Sequence, residues 1–194
     1  MSLETHGPRG GAFVASSGNE VSFRIFRVQL SNDSNRPIDL KLDLPSGPVA
    51  LAPDSSVRLR LFFFPKALAP GEAVDANNFG IHGVERYLDS DVVGDSTLEE
   101  SIAPGATQWF YLGVVFESEL DNGLTRAGLF VEGEEKTASF LPSTSQGDGG
   151  GDDVDEATER GRSTSLNLWL GIGVDPPRYH ALFPCGRVEV QSGR

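Results

Sequence analysis

Residues 38–44, "IDLKLDL", alternate without a break: Ile38, Leu40, Leu42 and Leu44 fall on one face, and Asp39, Lys41 and Asp43 on the other. A period of two with charges on one side predicts a strand half buried against a core and half in water. Upstream, residues 23–30, "FRIFRVQL", alternate too, but two large apolar residues meet at Ile25-Phe26, where the pattern predicts a β-bulge. Between the runs lies "SNDSNRP", in which Asn and Asp tolerate tight backbone and Pro37 presets the exit. The pair reads as a hairpin.

Five more strands follow from the same reasoning. In "VRLRLFFF" (57–64), Val57, Leu59, Leu61 and Phe63 share one face, while Arg58, Arg60, Phe62 and Phe64 share the other. "WFYLGVVF" (109–116), "AGLFVEG" (127–133), "LNLWLGIGV" (166–174) and "RVEV" (187–190) complete seven. The reverse face of the sixth carries Asn167, Trp169, Gly171 and Gly173, so something is expected to pack closely over those glycines. No window holds a 3.6-residue apolar stripe of helical length. "NNFGIHGVERYL" or "DSTLEES" holds a short helical turn at most.

A short phrase recurs: "LAPDSS" from Leu51, "LAPGEA" from Leu68 and "IAPGAT" from Ile102. In each, Pro presets φ, a Gly or Asp accepts tight geometry, and a strand is expected to begin. The spacing is uneven, which excludes a solenoid. Seven strands punctuated by Pro, Gly and Asn predict an all-β fold. The expectation is a single antiparallel β-sandwich spanning residues 1–194, jelly-roll or immunoglobulin-like. Two connections are long, at about residues 74–100 and 142–164, and loops of that length usually work at a surface or are disordered.

Composition changes the picture in one respect. The chain has 194 residues with 28 acidic against 16 basic, a formal net charge of −12. That field opposes nucleic-acid phosphates, so no nucleic-acid partner is expected. Only Lys41, Lys66 and Lys136 are lysines; the other basic residues are arginines. An acid excess with few lysines fits a protein kept soluble in molar salt, where self-repulsion is screened over a few ångströms. The opening "MSLETHGPRGGAFVASSG" lacks a basic start followed by an apolar segment, so synthesis in the cytoplasm without a signal peptide is expected. The longest apolar run, residues 109–116, is strand-sized, and no membrane insertion is expected.

Candidate chemistry is sparse. Asp148, Asp152, Asp153 and Asp155 in "GDGGGDDVDE" are the only candidates for a Ca²⁺ site, but their spacing fits neither an EF-hand nor the glycine-rich Ca²⁺ repeat. A solvated acidic linker is the simpler reading. Cys185 and His180 share a short Pro-bounded segment without a third orienting group, so Cys185 is expected to be an inert buried thiol. His6, His82 and His180 show no ligand spacing. No catalytic set, metal or cofactor is expected. The aromatic faces stand out instead: Arg58, Arg60, Phe62 and Phe64 on one strand, Trp109 and Tyr111 on another. Facing outward they form a contact surface, since Arg and aromatics concentrate at interface hot spots; otherwise they lie between layers or under the long loops.

"FRVQLSNDSNRPIDLKL" and "IAPGATQWFYLGVVF", about half of the chain with their surroundings, resemble immunoglobulin-like modules. An acidic, strand-rich chain of this size without a catalytic set is also similar in type to the single jelly-roll capsid proteins of halophilic icosahedral viruses. That second likeness carries over no residue roles. What it implies is a non-enzymatic shell subunit, found in the virion, associating with itself or with companion shell proteins. The first implies an immunoglobulin-like protein-binding module of a haloarchaeal host.

Overall fold

The computed structural model describes residues 1–50, 56–70, 74–90, 94–116, 125–131, 165–174 and 181–190. They form ten strands: β1 (Ser2–Val14), β2 (Glu20–Ser31), β3 (Ile38–Asp43), β4 (Val49–Ala50), β5 (Arg58–Phe63), β6 (Thr97–Ile102), β7 (Thr107–Phe116), β8 (Thr125–Val131), β9 (Ser165–Val174) and β10 (Ala181–Val190). A 3₁₀ turn at Asn77–Gly80 and one short helix, α1 (Val84–Leu88), lie between β5 and β6. The strands make two antiparallel five-stranded sheets, ordered β1-β2-β7-β5-β4 and β6-β3-β10-β9-β8. The protein is an all-β sandwich. Each of the seven runs predicted from periodicity falls on a strand, the fifth as far as Val131, where the described residues stop.

Three pairings nest inside one another: β2 with β7, β3 with β6, and β4 with β5. The segment β2-β3-β4 thus runs antiparallel to β5-β6-β7 along its whole length, as a ribbon folded across both layers. The two sheets are also joined along their sides. On one side, Leu129 N donates to Thr5 Oγ1 at 3.3 Å, tying β8 to β1. On the other, Phe63 N donates to Asp95 O and Leu44 N to Ser96 O, both at 2.7 Å, so one short segment holds the rims of both sheets.

The main core lies between the sheets. Phe26, Val28 and Leu30 of β2, Leu59, Leu61 and Phe63 of β5, and Leu112 and Val114 of β7 meet Ile38, Leu40 and Leu42 of β3 and Leu168 and Leu170 of β9. β3 follows its pattern residue by residue, buried and exposed positions alternating along its length. β2, β5 and β7 differ, because their outer faces are apolar as well. Phe23, Ile25, Phe62, Phe64 and Tyr111 form a second cluster with Phe79, Ile81 and Val84, and with the partly buried Leu68, Tyr87 and Leu88. Residues 65–70 and 74–90 therefore form a roof over the first sheet, a partial third layer whose removal would expose five large side chains to water.

Several expectations need correction. β2 and β3 do not form a hairpin; they belong to opposite sheets. The turn between them is a corner, organised by Asn32. Its side chain donates to Arg36 O at 2.8 Å and Ile102 O at 2.9 Å, and accepts from Ser34 N at 3.0 Å and Ser34 Oγ at 2.7 Å. That uses the amide's full capacity of two donors and two lone pairs, and it draws the chain toward the end of β6 in the second sheet. Nor is Ile25-Phe26 a bulge: β2 runs in continuous register with β7, with Ile25 buried outward and Phe26 buried inward. The bulge sits opposite, in β1 between His6 and Arg9. β1 was not foreseen. "DSTLEES" leads into strand β6 rather than a helical turn, so the long excursion ends before Thr97. The short helical turn expected in "NNFGIHGVERYL" is present as α1. "IAPGAT" closes a turn, with Ala106 N donating to Ala103 O, and opens β7, whereas "LAPGEA" leads into the roof. The acidic loop at 142–164 lies outside the described residues.

Candidate functional site

The roof separates the residues that sequence had grouped as a contact surface. Phe62, Phe64 and Tyr111 are buried beneath it at 3%, 6% and 1% exposure. The rings of Phe62 and Phe64 lie 5.0 Å apart, with Tyr87 of α1 at 6.0 and 5.7 Å from them. Arg58 is exposed at the start of β5 and Arg60 is half-buried. Trp109 is half-buried at the margin of the roof, where a different set of residues converges.

That set is built by register. His6, Arg27 and Tyr111 face one another across β1, β2 and β7. The bulge in β1 then brings Arg9 opposite Ile25, so His6 and Arg9, three residues apart, lie on the same outer face. Gly7 makes this turn possible: its φ is +125°, and a Cβ there would lie 2.9 Å from Ile25 O. From the roof come Val74, Asp75 and Phe79.

Arg27 is the centre. Its guanidinium carbon lies 5.0 Å from the Phe79 ring centroid and 4.9 Å from that of Trp109, so the cation is held between two aromatic faces. Arg27 Nη1 donates to Val74 O at 3.0 Å, while its Nε is buried without an acceptor. Arg9 lies 5.4 Å from the same Phe79 ring and forms an ion pair with Asp75. His6 Nε2 stands 3.6 Å from Glu4 Oε2, beyond hydrogen-bond reach, and its ring is 6.4 Å from Trp109. The Tyr111 hydroxyl is buried without a partner, like His6 Nε2. Burial raises the Tyr111 pKa above the ordinary phenol value, an effect that the nearby Arg27 charge partly opposes. Beside these groups is an open cavity of about 660 Å³, lined by Thr5, His6, Gly7, Pro8, Arg9, Arg27, Asp75 and Phe79.

A flat, immobilised cation beside a second guanidinium is chemistry for an anion. Sequence reasoning missed the centre of this site, although the signal was present: Arg27 shares a strand face with Ile25 in a run that is apolar on both faces. The other candidates stand apart. Asp148, Asp152, Asp153 and Asp155 lie outside the described residues, as does His180. Cys185 is buried, and burial pushes its thiol up to about 12, which keeps it protonated and unreactive near neutrality. Among the described residues, no three of His, Cys, Asp and Glu converge to hold a metal ion, and no helix is long and apolar enough to cross a membrane. Compared with family models, curated proteins and solved structures, the chain matches none.

Proposed function

We propose that this protein is a non-enzymatic structural subunit that assembles into a shell, the capsid of a virus of a halophilic archaeon. The observation that carries the reading is the ribbon of nested pairs, β2 with β7, β3 with β6 and β4 with β5, joined along both sides of the sandwich. Nesting of this kind is how a jelly roll wraps a long hairpin across two layers, and it supports the jelly-roll topology over the immunoglobulin-like one. A slab tied at both rims resists shear between its sheets, as a wall element must when neighbours press on it.

The surface supports the same reading. The outer face of the second sheet is a lattice of exposed charge, with Lys41 Nζ 2.9 Å from Glu99 and Arg187 Nε 2.9 Å from Glu189. Such pairs add little to stability but suit contacts formed in concentrated salt, with the excess acid keeping subunits soluble until they assemble. The test is light scattering behind size exclusion, in molar potassium chloride and in dilute buffer. Discrete oligomers or particles in high salt are expected. A folded monomer at every concentration, with or without companion shell proteins, would overturn the assembly reading.

A further inference from the structure

We propose that the cavity beside Arg27 is a binding site for a carboxylate group. Arginine remains charged at any ordinary pH and carries five N–H donors in a rigid fork. Arg27 is 9% exposed, and among the described residues its one hydrogen-bond acceptor is Val74 O. A cation buried with so little compensation is costly, and Phe79 and Trp109 offset only part of that cost. An oxyanion arriving at the edge of the fork supplies what the rings cannot. Stacking has already fixed the plane of the fork, so little entropy remains to be lost on binding.

Charge balance selects the class of anion. The groups lining the cavity include two guanidiniums and one carboxylate, that of Asp75, and these three leave a single positive charge. One carboxylate closes that balance, whereas a phosphate dianion would overshoot it. The rim shows the same preference, because the roof's own carboxylate, Asp75, already sits on Arg9. The volume admits a side chain or a small organic acid rather than a single water. If the assembly reading holds, the carboxylate is an acidic side chain of a second copy; the alternative source is a free small acid.

The experiment is NMR of arginine Nε–H groups in ¹⁵N-labelled protein, titrated with potassium glutarate against potassium chloride at matched ionic strength. A saturable downfield shift of one Nε–H is expected, absent in Arg27→Lys, with binding weakened about tenfold or more in Arg9→Gln. A response that never saturates, or one that survives both substitutions, would overturn the site. If Arg27→Lys fails to fold, Arg9→Gln still decides, since Arg9 lies on the half-exposed rim. The two sources separate cleanly. A shift already present without glutarate that grows with protein concentration, in a species that glutarate dissociates, assigns the side chain of a neighbouring copy. A shift seen with glutarate alone assigns a small acid. A chain that stays monomeric at every concentration in molar potassium chloride without glutarate, yet binds glutarate saturably, would sink the assembly reading and leave the site standing.

Discussion

Gly113→Ala tests the packing that holds the roof to the sheet. Gly113 lies on the outer face of β7, directly opposite Phe62 of β5. A Cβ at this position would fall 2.5 Å from Phe62 Cε2 and closer still to Cζ. The ring has no room to withdraw, because Gly94 lies against Phe62 as well: a Cβ there would fall 2.6 Å from both Phe62 Cβ and Cγ. Phe64 and Tyr87 close the remaining sides. Overpacking a filled core costs about 1–3 kcal/mol. Replacing a strand glycine returns about 0.5–1 kcal/mol by restricting the unfolded chain. The net expectation is a loss of about 1–2 kcal/mol, a fall in Tm of about 2–8 °C for a chain of this size. Denaturant unfolding in high salt measures the loss, and Phe62→Leu should relieve it. In the double-mutant cycle, Gly113→Ala should cost at least about 0.5 kcal/mol less in the Phe62→Leu background. Because Tyr87 rests on Phe62, amide exchange in α1 should accelerate in the single mutant. Gly11→Ala is the control, since nothing lies within 4 Å of its Cβ position, and it should show the strand-glycine gain alone, a stabilisation of about 0.5–1 kcal/mol. Equal costs for Gly113→Ala in both backgrounds, or none in either, would refute the close approach of Phe62.

Two further outcomes follow from single residues. Asn32→Ala removes four hydrogen bonds at a corner where Asn32 is 1% exposed, and it strips a side-chain donor from Ile102 O; a loss of about 2–4 kcal/mol is expected by chemical denaturation, with Asn32→Asp little better because a carboxylate cannot donate to the two carbonyls. Cys185 holds its proton in the folded state up to about pH 12, whereas an exposed thiol ionises near 9.0. Its contribution to stability is therefore full below pH 9 and is lost as pH rises toward 12, and a thiol-reactive dye at pH 8 should label the protein only as fast as it unfolds.

Periodicity revealed the strands that share one environment along their length. β3 is the clear case, since a single face meets the core and the charges on the other name the solvent side. β1 was invisible for the opposite reason. "ETHGPRGGAF" contains Gly, Pro and charge in place of alternating apolar residues, and it is a strand because β2 offers it an edge to pair with. Tertiary pairing overrode local propensity there. At Asn32 the turn chemistry of a corner and of a hairpin is the same; which sheet the next strand joins depends on Ile102, seventy residues away. Strand order is set by such distant contacts, which no short window of sequence contains.

The site was half legible, and the reason lies in β2, β5 and β7. A sandwich of two sheets needs one apolar face per strand, yet these three carry apolar residues on both. The surplus implied either an exposed contact surface or a further layer, and sequence alone left the two open. Residues 74–90 supply the layer: Phe79, Ile81 and Val84 cover Phe23, Ile25, Phe62, Phe64 and Tyr111. That cover stops at Trp109 and Arg27, where the row across the sheet turns polar. Phe79, which covers Arg27 at this end, takes up a positive φ of 54°, as does Asn78 at 52°, a conformation that costs a non-glycine residue about 1 kcal/mol. At that cost one ring both fills the apolar cluster against Tyr111 and covers the two arginines. A roof needed only for hydrophobic burial has no use for a carboxylate at Arg9. This one reaches onto the guanidiniums, brings Asp75 to Arg9, and leaves an open cavity beside them, which is why the anion site and the third layer are one structural feature.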